Sequence, residues 1–398
     1  MNPRRPVVWA RHHRRLAVVA GVLLACVAIG APIVFLAARP GRTGGTAVAA
    51  SGVVGEIDAE PDMRSWVYPG ANPQSWWCEM PDCTPDFDVG GQGPMPTIDA
   101  ELEAIRDLGA RYAGIGVPWP LIETARGAYD WGRLDAIVAA ASRAEVVLEP
   151  ELDGTPQWAG GGPQLADPPS SVADWTGFVT ALTQRYRKDF PDIEIWNEPD
   201  GGQALSCTGP SCEQIYVNEL LNPAYAAIKA VDPSIRVVMA GSANDAGACC
   251  AYLSAVLADG ARFDVATFHN YTGTWASEAS QYRSILDQNG HRGEQLWMTE
   301  FGVNSTIGDQ SAALRQVFAG ALPIQVAGWY NLRDTDAWSC CPPADLARGH
   351  WGLLDADFSP KPSFSTLQAL LAGKGSPAAP AAGFVGAVTA TLSGGPAA

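Results

Sequence analysis

The chain has 398 residues, 47% of them hydrophobic, enough for one large domain with tails around a sizeable core. Its formal net charge of −16 hides an asymmetry: seven arginines and no acid precede residue 43, and all 42 acids follow. So acidic a body repels nucleic acid and anionic membranes and argues against a strongly anionic polymer as substrate.

The chain opens with a basic flank, residues 1–15, expected to stay in the cytoplasm. Arg11, Arg14 and Arg15 precede an uncharged apolar stretch, residues 16–38, long enough to span a bilayer. Two readings stay open. One is an uncleaved anchor. The other is a signal cleaved near Ala37-Ala38 or Ala47-Val48-Ala49. Leu23-Leu24-Ala25-Cys26 loosely resembles a lipoprotein box, but cleavage there leaves an apolar new N-terminus. In either case the rest of the chain faces outward, secreted or anchored, and touches the membrane only through residues 16–38. Residues 39–61, rich in Gly, Ala, Thr and Val, read as a linker.

From residue 62 to 371, helical and strand patterns alternate. Helices are expected over residues 98–108, 134–143, 172–188, 212–231 (despite Pro223), 251–257, 281–288, 311–321 and 363–371. Strands are expected over 111–117, 146–148, 193–196, 235–240, 263–268, 296–298 and 324–330. This alternation predicts an α/β fold, a (β/α)8 TIM barrel. A doubly wound open sheet is second; no G-x-G-x-x-G follows the first strand to support it. Residues 372–398, rich in Ala, Gly, Pro and Ser, read as a disordered low-complexity tail.

Two segments carry the chemistry: Ile195-Trp196-Asn197-Glu198-Pro199 and Met298-Thr299-Glu300-Phe301-Gly302. Each is a hydrophobic run ending in a glutamate and then a turn former. A carboxylate at the C-terminal end of a parallel strand points into the mouth of such a barrel. The two glutamates lie 102 residues apart. At roughly 31 residues per βα unit, that is about three units, as between a fourth and a seventh strand. Two carboxylates in one mouth suggest a proton donor and a nucleophile; strand-end glutamates that merely cap helices are the plain alternative.

Eight cysteines follow Cys26 in four close pairs: Cys78 and Cys83, Cys207 and Cys212, Cys249 and Cys250, Cys340 and Cys341. An even count in an exported chain suggests disulfides. The pairs fall in loops after strands one, four, five and eight. The two adjacent pairs lean toward vicinal bridges, with a crossed pairing left open. C-x4-C is wide for a zinc knuckle and no histidine lies nearby, so neither metal nor cofactor is expected.

At residue level the chain resembles the retaining glycoside hydrolases of clan A, most similar to family 39 with family 5 close behind. The likeness spans about residues 62–371. Besides the glutamates it rests on Gly109-Ala110-Arg111-Tyr112 through Pro118-Trp119, Gly127-Ala128-Tyr129-Asp130-Trp131, Gly154-Thr155-Pro156-Gln157-Trp158-Ala159, Phe268-His269-Asn270-Tyr271 and Trp329-Tyr330. Gly352-Leu353-Leu354 through Pro360-Lys361-Pro362 completes it. The resemblance implies Glu198 as acid/base and Glu300 as nucleophile. It implies that Asn197 donates a hydrogen bond to the sugar 2-hydroxyl, that Tyr271 holds the nucleophile, and that His269 contacts the sugar or supports the pair. Trp329 is the implied aromatic platform; Trp119 and Trp158 are candidate wall residues, joined by Trp338. Glu149 and Glu151 end the third strand and either line the cleft or cap the next segment.

One position departs from the clan: Gly114 stands where many members carry an arginine beside the nucleophile. Arg111 has the wrong parity to replace it, which leaves Arg333 as a candidate. The function expected is hydrolysis of O-glycosidic bonds in an extracellular polysaccharide by a monomer. Endo-action is expected, because the barrel is followed by only 27 residues, too few for a pocket-closing sandwich. A surface glycan-binding barrel without turnover is the alternative.

Overall fold

A computed structural model describes residues 54–58, 95–160, 166–200, 205–242, 250–334 and 350–372. The apolar stretch 16–38 and the tail from 373 onward lie outside them. No described helix is long and apolar enough to cross a membrane.

Eight parallel strands close into a barrel. They are β1 (Val54–Asp58), β2 (Tyr112–Pro118), β3 (Val147–Asp153), β4 (Asp192–Ile195), β5 (Arg236–Met239), β6 (Val265–Asn270), β7 (Gln295–Phe301) and β8 (Val326–Tyr330). β1 corrects the expectation of a linker over 39–61 and a domain starting at 62. Asp58 pairs with Tyr330 on one side and Gly114 on the other, so this five-residue strand completes the ring. Its short Val-Gly-Glu-Ile-Asp run sits in a Gly- and Ala-rich stretch, and pairing with two neighbours, not local pattern, makes it a strand.

Helices alternate with the strands: α1 (Met95–Leu108), α2 (Gly132–Ala144), α3 (Val172–Tyr186), α4 (residues 212–231), α5 (Ala251–Ala258), α6 (Trp275–Gln288), α7 (Gln310–Ala319) and α8 (Pro362–Ala372). α4 starts on a capping box in which Ser211 accepts from the Gln214 N–H. It widens to a π turn over Tyr216–Leu221, just before Pro223, which has no N–H to donate. A two-stranded hairpin, Glu123–Ala125 with Ala128–Tyr129, follows β2.

Strand parity sorts the core into two layers. Leu148, Leu152, Ile193, Ile195, Val237, Met239, Ala266, Phe268, Leu296, Met298, Ala327 and Trp329 face the helices. The alternate positions Val238, Val265, Trp297 and Val326 form a separate cluster inside the barrel. At the N-terminal end Asp192 pairs with Arg236, whose guanidinium lies 5.1 Å from the Trp297 ring centroid. Toward the other end the interior becomes acidic: Glu149, Glu151 and Glu194 are buried, with Glu151 directly opposite Glu194.

Candidate active site

Glu198 lies three residues beyond β4. Trp196 and Glu198 both hold positive φ, +70° and +37°, a left-handed geometry that costs energy for non-glycine residues and clusters at functional sites. The turn buries Trp196 against Trp175 and brings the Glu198 carboxylate back over the barrel. Glu300 arrives differently. Thr267 pairs with Trp297, yet His269 pairs with Glu300, so β7 carries one extra residue relative to β6. The same irregularity stands on the other side, where Ala327 pairs with Met298 but Trp329 with Phe301. Plain alternation from the inward Trp297 would turn Glu300 outward; the bulge resets it to face the mouth.

His269 joins the two carboxylates. Its Nδ1 is 2.9 Å from Glu198 Oε1 and 3.6 Å from Glu300 Oε2. One ligand atom from each of Glu198, His269 and Glu300 lies within 4.8 Å of the others. The imidazole is nearly inaccessible, while the Glu300 and Glu198 side chains are 12% and 26% exposed. Burial alone would lower the histidine's pKa. The charges of Glu300, Glu198 and Glu151 outweigh it and push the value up to about 9, so an imidazolium faces the carboxylates at neutral pH. Among the described residues, these three also form a group that could hold a metal ion, with which a proton on His269 Nδ1 would compete.

The Tyr271 hydroxyl donates to Glu300 Oε2, and its ring is open to solvent. Asn197 is buried, with no hydrogen-bond partner for its Oδ1 among the described residues, a free acceptor next to Glu198. The sequence reading therefore brought together Glu198, Glu300, Asn197, His269 and Tyr271. It placed His269 against the sugar or behind the pair; the structure puts it on both glutamates.

The aromatic walls are different. Trp329 is fully buried on the helix side of β8, at a ring-centroid distance of 5.1 Å from Phe301, and its indole donates to the Trp351 carbonyl. Trp119 is also fully buried, stacked on Phe178 and hydrogen-bonded to Glu123. Trp158 donates to the Glu123 carbonyl, with Arg126 over its ring. Neither Trp119 nor Trp329 can serve as a platform. Around Tyr271 stand Tyr330 and Trp351 instead, with ring centroids 5.9 and 5.3 Å from it. The parity of β8 could have found Tyr330, since Val326 and Gly328 share its face. Nothing in the sequence marked Trp351. Its place depends on Gln310, which donates to its carbonyl, and on Gly302, where a Cβ would come 3.0 Å from its ring.

Arg333 does not replace the missing arginine. It is bound to Glu101 and the Ala356 carbonyl, with Phe358 beneath it. Arg111 precedes β2, at the opposite end of the barrel. Glu149 and Glu151 lie within β3, buried in the barrel interior. Cys207 and Cys212 form a disulfide, and Cys250 is disulfide-bonded. Cys78, Cys83, Cys249, Cys340, Cys341 and Trp338 lie outside the described residues.

No curated protein matches the chain. Among solved structures, it superposes on a family 39 glycoside hydrolase from the gut symbiont Bacteroides cellulosilyticus WH2 with a TM-score of 0.57 at 16% identity, covering 81% of this chain and 64% of that one. The GH39 β-xylosidase from Caulobacter crescentus gives 0.55 at 22% identity, covering 69% and 67%. The exo-β-1,4-mannosidase from Opitutaceae bacterium strain TAV5 gives 0.56 at 16%, covering 81% and 59%. The chain thus spans less than two thirds of the first and third of these, and at such identities the likeness is one of fold. The sequence model of cellulase, glycosyl hydrolase family 5, matches residues 123–334, a little over half the chain and a stretch that contains both glutamates. The chain therefore belongs to the cellulase family, glycosyl hydrolase family 5.

Proposed function

We propose that the protein is an exported retaining glycosidase acting by double displacement. A Glu300 carboxylate oxygen attacks the anomeric carbon as the bond to the leaving oxygen breaks, and the proton that His269 holds against Glu198 passes through Glu198 to that oxygen. Water then gives a proton to Glu198 and attacks the same carbon, releasing Glu300 from its glycosyl ester. The observation that carries this reading is the closeness of the pair, with oxygens within 4.8 Å of each other across His269. Retaining enzymes keep their carboxyls about 5–5.5 Å apart, while inverting ones need about 6.5–9.5 Å for an intervening water. Tyr271 holds the attacking carboxylate, and Asn197 offers its acceptor to a sugar hydroxyl. A binding protein without turnover would need neither the close pair nor its supports.

The substrate is a neutral polysaccharide of the kind cellulases cleave, met outside the cell by a monomer. Buried acids near the mouth, Glu149, Glu151 and Glu194, disfavour a uronate. Endo-cleavage fits a mouth in which Tyr271 stands exposed beside the nucleophile. The test is a pair of variants. Glu300→Gln abolishes turnover. Glu198→Gln is slow on poor leaving groups but spared on activated aryl glycosides, and azide rescues it with retained configuration. An inverted anomer from the wild type rules the mechanism out, and release of monosaccharide alone from the earliest times rules out endo-action.

A further inference from the structure

Gly241 follows β5 and lies beneath the His269 ring. An ideal Cβ there would fall 2.2 Å from Cδ2, 2.4 Å from Nε2 and 2.9 Å from Cγ of the imidazole. Its φ lies outside the left-handed region, so the backbone would accept alanine and only the ring forbids it.

The strand end cannot retreat to make room. The Tyr216 hydroxyl donates to the Ile195 carbonyl at 2.9 Å and accepts from the Ala240 N–H at 2.8 Å, tying the ends of β4 and β5 together. Tyr252 donates to the Ala240 carbonyl at 3.2 Å, and Thr267 donates to that of Met239. On the far side, Ser242 Oγ donates to Asp200 Oδ2 at 2.7 Å. With the backbone clamped on both flanks, an added methyl group moves the imidazole.

We propose that Gly241 is a positioning residue for the catalytic pair: its missing side chain seats the His269 ring so that Nδ1–H donates to Glu198 while staying within ion-pair distance of Glu300. This rests on the reading of those glutamates as the pair. The ring is confined, since its side chain is only 2% exposed. It is held as an imidazolium by Glu300 on β7, Glu198 beyond β4 and Glu151 on β3. Displaced, it would leave two carboxylates facing each other with their shared donor out of reach.

The experiment compares Gly241→Ala, His269→Ala and the double variant. Misplacing a catalytic support by about 1 Å costs on the order of 100-fold, so Gly241→Ala lowers kcat by about that factor with a much smaller change in KM. In the His269→Ala background there is no ring to displace, and the glycine substitution costs nothing further. Independently of turnover, NMR titration follows the His269 imidazole, one of five histidines and assigned by its loss in His269→Ala. Its pKa falls from about 9 toward 6.5 in Gly241→Ala. If the wild type cleaves no glycoside, the functional reading fails while the titration still judges the seat. An unchanged titration, or kcat losses that multiply in the double variant, overturns the proposal. So does a Gly241→Ala chain that misfolds and is not recovered by His269→Ala.

Discussion

Raising the pH should destabilise this protein through one residue. His269 has its imidazole pushed from 6.5 to about 9 in the folded state. Burial opposes the charge, and the three glutamates around it prevail. A histidine whose folded pKa exceeds its unfolded value contributes stability that is complete below about 6.5. That contribution drains away as the pH climbs through 9. At ~1.4 kcal/mol per tenfold change, the interval corresponds to about 3–4 kcal/mol, an upper bound for one site among coupled carboxylates. Against the roughly 5–15 kcal/mol of a typical domain, that is a readable fraction. Urea denaturation at pH 6, 7.5 and 9 measures it, with His269→Gln as the reference that cannot titrate. The wild type loses stability steadily over this range, and the variant is nearly flat. Parallel profiles for the two proteins would falsify the assignment of the imidazolium.

Tyr271→Phe removes the hydroxyl that donates to Glu300. A bond to a charged acceptor is worth about 1.5–3 kcal/mol, so kcat should fall roughly 10- to 100-fold with the fold intact; unchanged kcat removes Tyr271 from the mechanism. Trp329→Ala should cost about 3–5 kcal/mol in unfolding experiments, because the ring fills the strand–helix layer. Trp351→Ala should instead raise KM about tenfold, with a smaller loss of stability; the reverse pattern would restore Trp329 as the platform. Arg236→Met leaves the fully buried Asp192 carboxylate without its cation and should cost about 3 kcal/mol or more. The double replacement Asp192→Leu with Arg236→Met should recover much of that loss in the same denaturation assay.

Local pattern determined a good deal. Period-2 and helical runs located seven of the eight barrel strands and the eight long helices among the described residues, since each such element buries one face and shows it in its own residues. Strand-end position and spacing picked out Glu198 and Glu300, and the Phe268-His269-Asn270-Tyr271 run supplied their partners. Facing direction was decided elsewhere. Glu300 turns inward only because β7 takes an extra residue against both neighbours, and register belongs to pairs of strands, not to one. Trp329 and Tyr330 are the contrary case: alternation along β8 already separates them, with Trp329 toward the helices and Tyr330 on the face of Val326. β1 was hidden because a short glycine-containing run becomes a strand only between two waiting edges. Trp351 and Gly241 left no trace in the local sequence. Their roles come from the close approach of residues far apart in the chain: Gly302 and Gln310 against the loop after β8, and a glycine just beyond β5 beneath a histidine on β6. Sequence periodicity records which face of an element is buried, and only tertiary packing sets what that face meets.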